Sequence, residues 1–179
     1  MPWVLHDVAP GDDVLEIGPG PGLTTDSLRC WAPKLTAIEI DSALARTLRV
    51  RMTGTNVEVV NGDATAMPFV DGRFSSVVSF TMLHHVPSAK QQDQVLSEVQ
   101  RVLRPGGTFA GSDSTGSFVF RLAHLFDTMV MVDPDSFGTR LEAAGFANAE
   151  VLQAKRALRF RATRRGPAST DASKRPESF

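Results

Sequence analysis

At 179 residues with 42% apolar side chains, the chain is long enough for one domain and apolar enough to bury a core. A formal net charge of −1 leaves no global field to gather nucleic acid, and no apolar run approaches the roughly 20 residues that span a membrane. The single cysteine, Cys30, excludes an internal disulfide and a multi-cysteine zinc site; with no secretory pattern at Met1-Pro2-Trp3-Val4-Leu5, the expected location is cytoplasmic.

Strand-like apolar runs alternate with amphipathic windows, the pattern of a parallel sheet with helices on both faces. Strands are expected at 13–17, 34–40, 56–61, 74–80 and 107–112, and helices at 23–32, 42–52 and 88–103. In the third helix Val95, Leu96, Val99, Val102 and Leu103 fall on one face, and Pro105-Gly106-Gly107 then turns the chain into the fifth strand. The stretch 117–132 is rich in Phe, Leu and Met. It reads equally as a cover for an apolar acceptor or as a helix closing the core or a dimer contact. A short helix at 136–144 is expected to start at an Asp135/Ser136 cap and stop at Gly145. Runs 149–154 and 158–163 fit an antiparallel hairpin, which closes a single domain at 1–163. Residues 164–179 carry Gly, Pro, Ser, Thr and charge and are expected to be a disordered tail. The basic residues Lys155, Arg156, Arg159, Arg161, Arg164 and Arg165 read better as charge guarding an edge strand than as an RNA strip.

The strongest motif is Val14-Leu15-Glu16-Ile17-Gly18-Pro19-Gly20-Pro21-Gly22-Leu23. An apolar strand runs into three glycines at alternate positions and then into a helix. The glycines clear side chains from a place where a ligand lies against the backbone, and the helix start offers free amide groups. In a doubly wound sheet this is the carboxyl end of the first strand, beside the switch point where ligands bind. A dinucleotide loop has G-x-G-x-x-G; this one has G-x-G-x-G with an acid two residues before it. The bend therefore suits a nucleoside with an amino acid tail, whose ammonium Glu16 would orient directly or through water. Glu39 follows Gly22 by 17 positions and ends the second strand, where a carboxylate accepts from ribose hydroxyls. Asp41 reads as a helix cap. In Asn61-Gly62-Asp63-Ala64, Asp63 can accept from the adenine amine and the Ala64 N–H can donate to the ring; alone, Asp63 reads as well as a turn or helix cap.

Together these residues resemble the class I S-adenosylmethionine-dependent methyltransferases, in particular the small-molecule, methyltransferase type 11-like group. The resemblance covers residues 10–112, more loosely to 163. It also includes Phe74-Ser75-Ser76-Val77-Val78-Ser79-Phe80-Thr81-Met82-Leu83-His84-His85-Val86 and Glu98-Val99-Gln100-Arg101-Val102-Leu103-Arg104-Pro105-Gly106-Gly107. It implies an α/β, Rossmann-like doubly wound sheet of seven strands in order 3-2-1-4-5-7-6, only the seventh antiparallel. It also implies S-adenosylmethionine as cofactor, S-adenosylhomocysteine as product and no metal. The implied cofactor contacts are Glu16, Gly18, Pro19, Gly20, Gly22, Glu39, Ile40, Asp63, Ala64, Ser79 and Phe80. One departure is Ser75, where the family usually has Asp, at a mostly structural position.

Methyl transfer is a direct in-line displacement, so alignment and exclusion of water matter more than a fixed catalytic constellation. His84 and His85 are the candidates for a general base toward a hydroxyl acceptor; the alternative is that one packs or caps while the other is solvated. The expected acceptor is a small, partly apolar molecule, with nucleic acid disfavoured. Only about ten residues precede the first strand, where many members of the resembled family place one or two shielding helices; either a homodimer mate or another chain covers that side, or the segment was lost or left out, or the pocket is open. Two other readings compete. One is an rRNA adenine dimethyltransferase, although Ser79-Phe80-Thr81-Met82 lacks the Asn/Asp-x-Pro-aromatic grip on a flipped base. The other is a cofactor-binding subunit without catalysis.

Overall fold

The computed structural model describes residues 5, 8–114, 130–154 and 157–166. Its strands are β1 (Val14–Ile17), β2 (Leu35–Glu39), β3 (Val57–Asn61), β4 (Phe74–Phe80), β5 (Leu103–Ser114), β6 (Phe146–Ala154) and β7 (Ala157–Arg164). They form one sheet in the order β3-β2-β1-β4-β5-β7-β6. Neighbours pair in parallel from β3 to β5, and β7 runs antiparallel to both β5 and β6. This is the order and direction that the sequence resemblance implies.

Among the described residues four helices flank the sheet: α1 (Leu23–Trp31), α2 (Ser42–Arg51), α3 (Ala89–Val102) and α4 (Pro134–Ala143). Strand periodicity sends adjacent side chains to opposite faces. On one face Leu15, Val77 and Phe109 pack with Val95, Leu96 and Val99 of α3 and Phe137 and Leu141 of α4. On the other, Val14, Leu35, Val78 and Ala110 pack with Leu28 of α1, while Ala37 and Val59 pack with Ala45 and Leu48 of α2. All four β1 residues are buried, as a central strand covered on both faces requires. Phe160 of β7 lies 4.8 Å from Phe109 and 5.1 Å from Phe137, ring to ring, which ties the antiparallel strand to the core.

Several boundaries differ from the sequence expectation, each for a local reason. The fourth helix starts earlier, because Pro134 occupies its first turn and the Asp133 side chain, not Asp135 or Ser136, accepts from the Asp135 N–H. Strand β6 starts at Phe146, directly after Gly145, and shifts register between Ala147 and Glu150, where Asn148 takes a φ of 51°. Strand β5 begins at Leu103: it pairs with Phe74 there, shifts register, and resumes pairing at Ser76 and Thr108. Asp41 caps α2 as expected, accepting from the Ala43 and Leu44 N–H groups at 2.8 and 2.9 Å. Ser75 is structural: its hydroxyl donates to the Asp13 carbonyl at 2.8 Å and lies 3.0 Å from that of Pro10. Most of the 117–132 stretch and the tail beyond 166 lie outside the described residues.

Candidate functional site

The strand order reverses between β1 and β4, so the loops after these two strands diverge and leave a hollow above their carboxyl ends. That hollow has a volume of about 660 Å³, within the range of small-molecule sites. Of the expected residues, Gly18, Pro19, Gly20, Glu39, Ile40, Asp63, Ala64, Phe80 and His85 line it. Glu16, Gly22, Ser79 and His84 are not among its lining residues.

Glu39 ends β2 and is only 6% exposed. Its two carboxylate oxygens accept from the Asp41 N–H at 2.9 Å and from the Gly20 N–H at 3.0 Å. The backbone behind it is fixed by Asn61, whose side-chain amide donates to the carbonyls of Glu39 and Ile40. Each carboxylate oxygen keeps a further lone pair, which is the acceptor pattern that a pair of vicinal hydroxyls needs. Asp63 closes an Asx turn, accepting from the Thr65 N–H through Oδ1 at 2.8 Å. The turn and the position on the wall coexist.

Glu16 lies under the glycine loop, 1% exposed. Its carboxylate accepts from the hydroxyls of Thr24 and Thr25 at 2.5 and 2.6 Å, and Thr24 lines the hollow while Glu16 does not. Burial pushes the Glu16 carboxyl above the ordinary glutamate range; the two threonine hydroxyls oppose the rise, and the charges of Asp26 and Glu39 add to it. The folded state therefore holds this proton more tightly than the unfolded chain. Ionised Glu16 costs stability above its folded pKa, and the cost disappears below the ordinary value of 4.5. Glu16→Gln is accordingly expected to raise the unfolding free energy in urea at mildly alkaline pH, with the gain fading to nothing as pH falls below 4.5. A gain that persists in acid would show that its source is not the buried charge.

The two histidines separate. His84, in a 3-10 turn at Leu83–His85, is buried, and its Nδ1 pairs with the Asp113 carboxylate at the end of β5. Asp113 also accepts from the Leu83 and Ser114 N–H groups. His85 is exposed and lines the hollow, with its ring centroid 4.2 Å from that of His84. Ser79 is buried, and its hydroxyl oxygen has no hydrogen-bond partner among the described residues. Sequence reasoning missed Thr24 and Thr81. Thr81 lines the hollow at a φ of 50°, a conformation that β-branched residues seldom take, held by its N–H donating to the Ser112 carbonyl at 2.8 Å. Nothing in the residue type signals that geometry. Thr24 could have been found from its place two positions after Gly22, within reach of Glu16.

Among the described residues, no group of three or more His, Cys, Asp or Glu side chains is placed to hold a metal ion. No helix among them is long and apolar enough to cross a membrane.

Residues 15–111 match the model of a family described as a methyltransferase domain. The chain is 37% identical over 106 residues to a fatty-acid O-methyltransferase of Mycolicibacterium smegmatis, covering 58% of this chain and 38% of that protein. It is 31% identical over 148 residues to a ribosomal RNA small subunit methyltransferase A of Leptothrix cholodnii, covering 74% of this chain and 54% of that one. The chain thus spans only part of the length of either relative. Among solved structures, a SAM-dependent methyltransferase from Methanosarcina mazei superposes with a TM-score of 0.72 at 20% identity, covering 93% of this chain and 99% of that one. This last likeness is one of fold.

Proposed function

Since this chain belongs to the methyltransferase domain family, we propose that it transfers the methyl group of S-adenosylmethionine to a small, partly apolar molecule. One observation carries the reading: the glycine loop, Glu39 and the Asp63-Ala64 turn border a single hollow whose remaining wall is largely apolar, with Met82, Val86 and Val95. Glu39 would receive the ribose hydroxyls through its two spare lone pairs. Asp63 keeps Oδ2 for the adenine amine, and Ile40 and Phe80 offer apolar surface to the base. Thr24, backed by buried Glu16, would receive the ammonium of the amino acid tail. When bound, the sulfonium supplies an already activated methyl group, so the chain's work is alignment and exclusion of water.

His85 would take the proton from a hydroxyl acceptor; its place among the residues lining the hollow, where His84 is absent, supports this choice between the two. His84, held by Asp113, lies beside it with the two rings tilted by 37°. The test is calorimetry with S-adenosylmethionine and S-adenosylhomocysteine, followed by transfer of radiolabelled methyl into an extract. Label in organic-soluble metabolites supports the proposal; binding without any transfer would favour a non-catalytic subunit. His85→Asn is expected to slow that transfer about tenfold at unchanged product affinity. This is below the ~10²–10⁴ typical of a general base, because His85 is open to water that can accept the proton. Undiminished transfer would remove the base role.

A second reading, methylation of RNA, is favoured by the match to the ribosomal RNA methyltransferase of Leptothrix cholodnii over 74% of this chain. Against it stands Ser79-Phe80-Thr81-Met82, which has Ser79 in place of the motif's Asn/Asp, Thr81 in place of its proline and Met82 in place of the aromatic that holds a flipped base. Label recovered in RNA would decide for it.

A further inference from the structure

We propose that Arg51, on α2 and outside the hollow, is a positioning residue for the cofactor, acting through the glycine loop; the inference rests on the cofactor reading above. Its guanidinium donates through Nη2 to the Pro21 carbonyl at 2.9 Å and the Gly22 carbonyl at 3.0 Å. Through Nη1 it donates to the Asp26 carboxylate at 3.0 Å. It therefore joins the outer half of the loop, the first turn of α1 and the end of α2. The peptide between Pro21 and Gly22 is bonded at both ends, because the Gly22 N–H donates to the Pro19 carbonyl at 2.8 Å.

This geometry gives the third glycine of the motif a purpose that the sequence reading did not. Gly22 is the N-cap of α1, with a φ of 81° and no side-chain cap. A Cβ there would lie 2.1 Å from Arg51 Nη2 and 2.4 Å from Leu48 Cδ1. Gly22 is bare on the side away from the ligand, to admit the guanidinium. The inner half of the loop is held by Glu39 through the Gly20 N–H, and the outer half by Arg51. A loop fixed on both sides presents its backbone to the ligand without an ordering cost at binding. Lysine is a poor substitute, since a point charge cannot span two carbonyls and a carboxylate as a planar fork does.

The experiment is calorimetric titration of S-adenosylhomocysteine into wild type, Arg51→Met, Arg51→Lys, Asp26→Asn and the Asp26→Asn/Arg51→Met double variant. Each is paired with thermal unfolding in the absence of ligand. Arg51→Met is expected to weaken affinity about tenfold, and Arg51→Lys to recover part of that loss. Asp26→Asn should weaken it less, and the double variant should lose no more than Arg51→Met, which marks the pair as one unit. Unfolding temperatures should shift little, since the Arg51–Asp26 pair is about two-fifths exposed. A lowered unfolding temperature with unchanged affinity would assign Arg51 to stability alone and overturn the proposal. If Arg51→Met fails to fold, unchanged affinity in both Arg51→Lys and Asp26→Asn overturns it equally. Absence of binding to wild type would overturn the cofactor reading itself, a result separable from the others.

Discussion

Gly20→Val is expected to abolish binding of S-adenosylhomocysteine and leave a folded protein. Gly20 lines the hollow at a φ of 53°, and a Cβ built there meets no protein atom within 4 Å. The space beside it is thus kept clear of protein, and two extra methyl groups would enter the region that the ligand needs. A β-branched residue at positive φ also costs on the order of 1–2 kcal/mol. The loop can escape that strain only by turning the Gly20 peptide, which breaks the bond from the Gly20 N–H to Glu39. Either response removes the site. Gly54 supplies the control: its φ is 78°, a Cβ there also meets nothing within 4 Å, and it lies between α2 and β3, away from the hollow. Gly54→Val carries a similar backbone penalty. It should lose a little stability and bind the product normally. Calorimetry on both variants, with far-ultraviolet circular dichroism for the fold, makes the comparison. Binding by Gly20→Val within a few-fold of wild type would show that the loop does not hold the ligand.

The contrast between Gly20 and Gly22 shows how far the sequence could be read. Three glycines at alternate positions marked the loop and placed it after the first strand. Their spacing could not say which of them faces the ligand, because that depends on what packs behind each. Gly20 faces open space, whereas Gly22 faces Arg51 and Leu48, which lie 26 or more positions further along the chain. Glu16 is a similar case. An acid two residues before the loop was legible; that Thr24 and Thr25 would occupy its oxygens was not, because their side-chain directions follow from the pitch of α1. Strands β1 to β4 were legible because each is a short, mostly apolar run with glycine, proline or a helix cap close to it. Boundaries slipped where backbone geometry rather than composition decides, as at Asn148 with its φ of 51° and at Pro134. His84 and His85 are adjacent and of one type, so only Asp113, 29 positions away, separates a buried residue from one that reaches the hollow.

Glu39→Ala is expected to weaken S-adenosylhomocysteine binding by about 1–3 kcal/mol, roughly 5- to 150-fold, from loss of charge-assisted hydrogen bonds. The carboxylate already serves two backbone donors, Gly20 and Asp41, so removing it acts twice. The ribose hydroxyls would lose the acceptors proposed for them, and the Gly20 N–H loses the group that holds the inner half of the loop. Glu39→Gln separates these contributions by geometry. An amide has one acceptor oxygen, and its NH₂ group must then face either the Gly20 or the Asp41 N–H, donor against donor. If the backbone contacts matter, Gln should rescue little over Ala, despite its matching shape. If only the ribose contacts matter, Gln should recover a substantial part, since an amide can both accept from one hydroxyl and donate to the other. Adenosine, which has the ribose but no amino acid tail, should lose affinity by a similar factor in Glu39→Ala. Equal affinity of wild type and Glu39→Ala for both ligands would place the nucleoside elsewhere in the molecule.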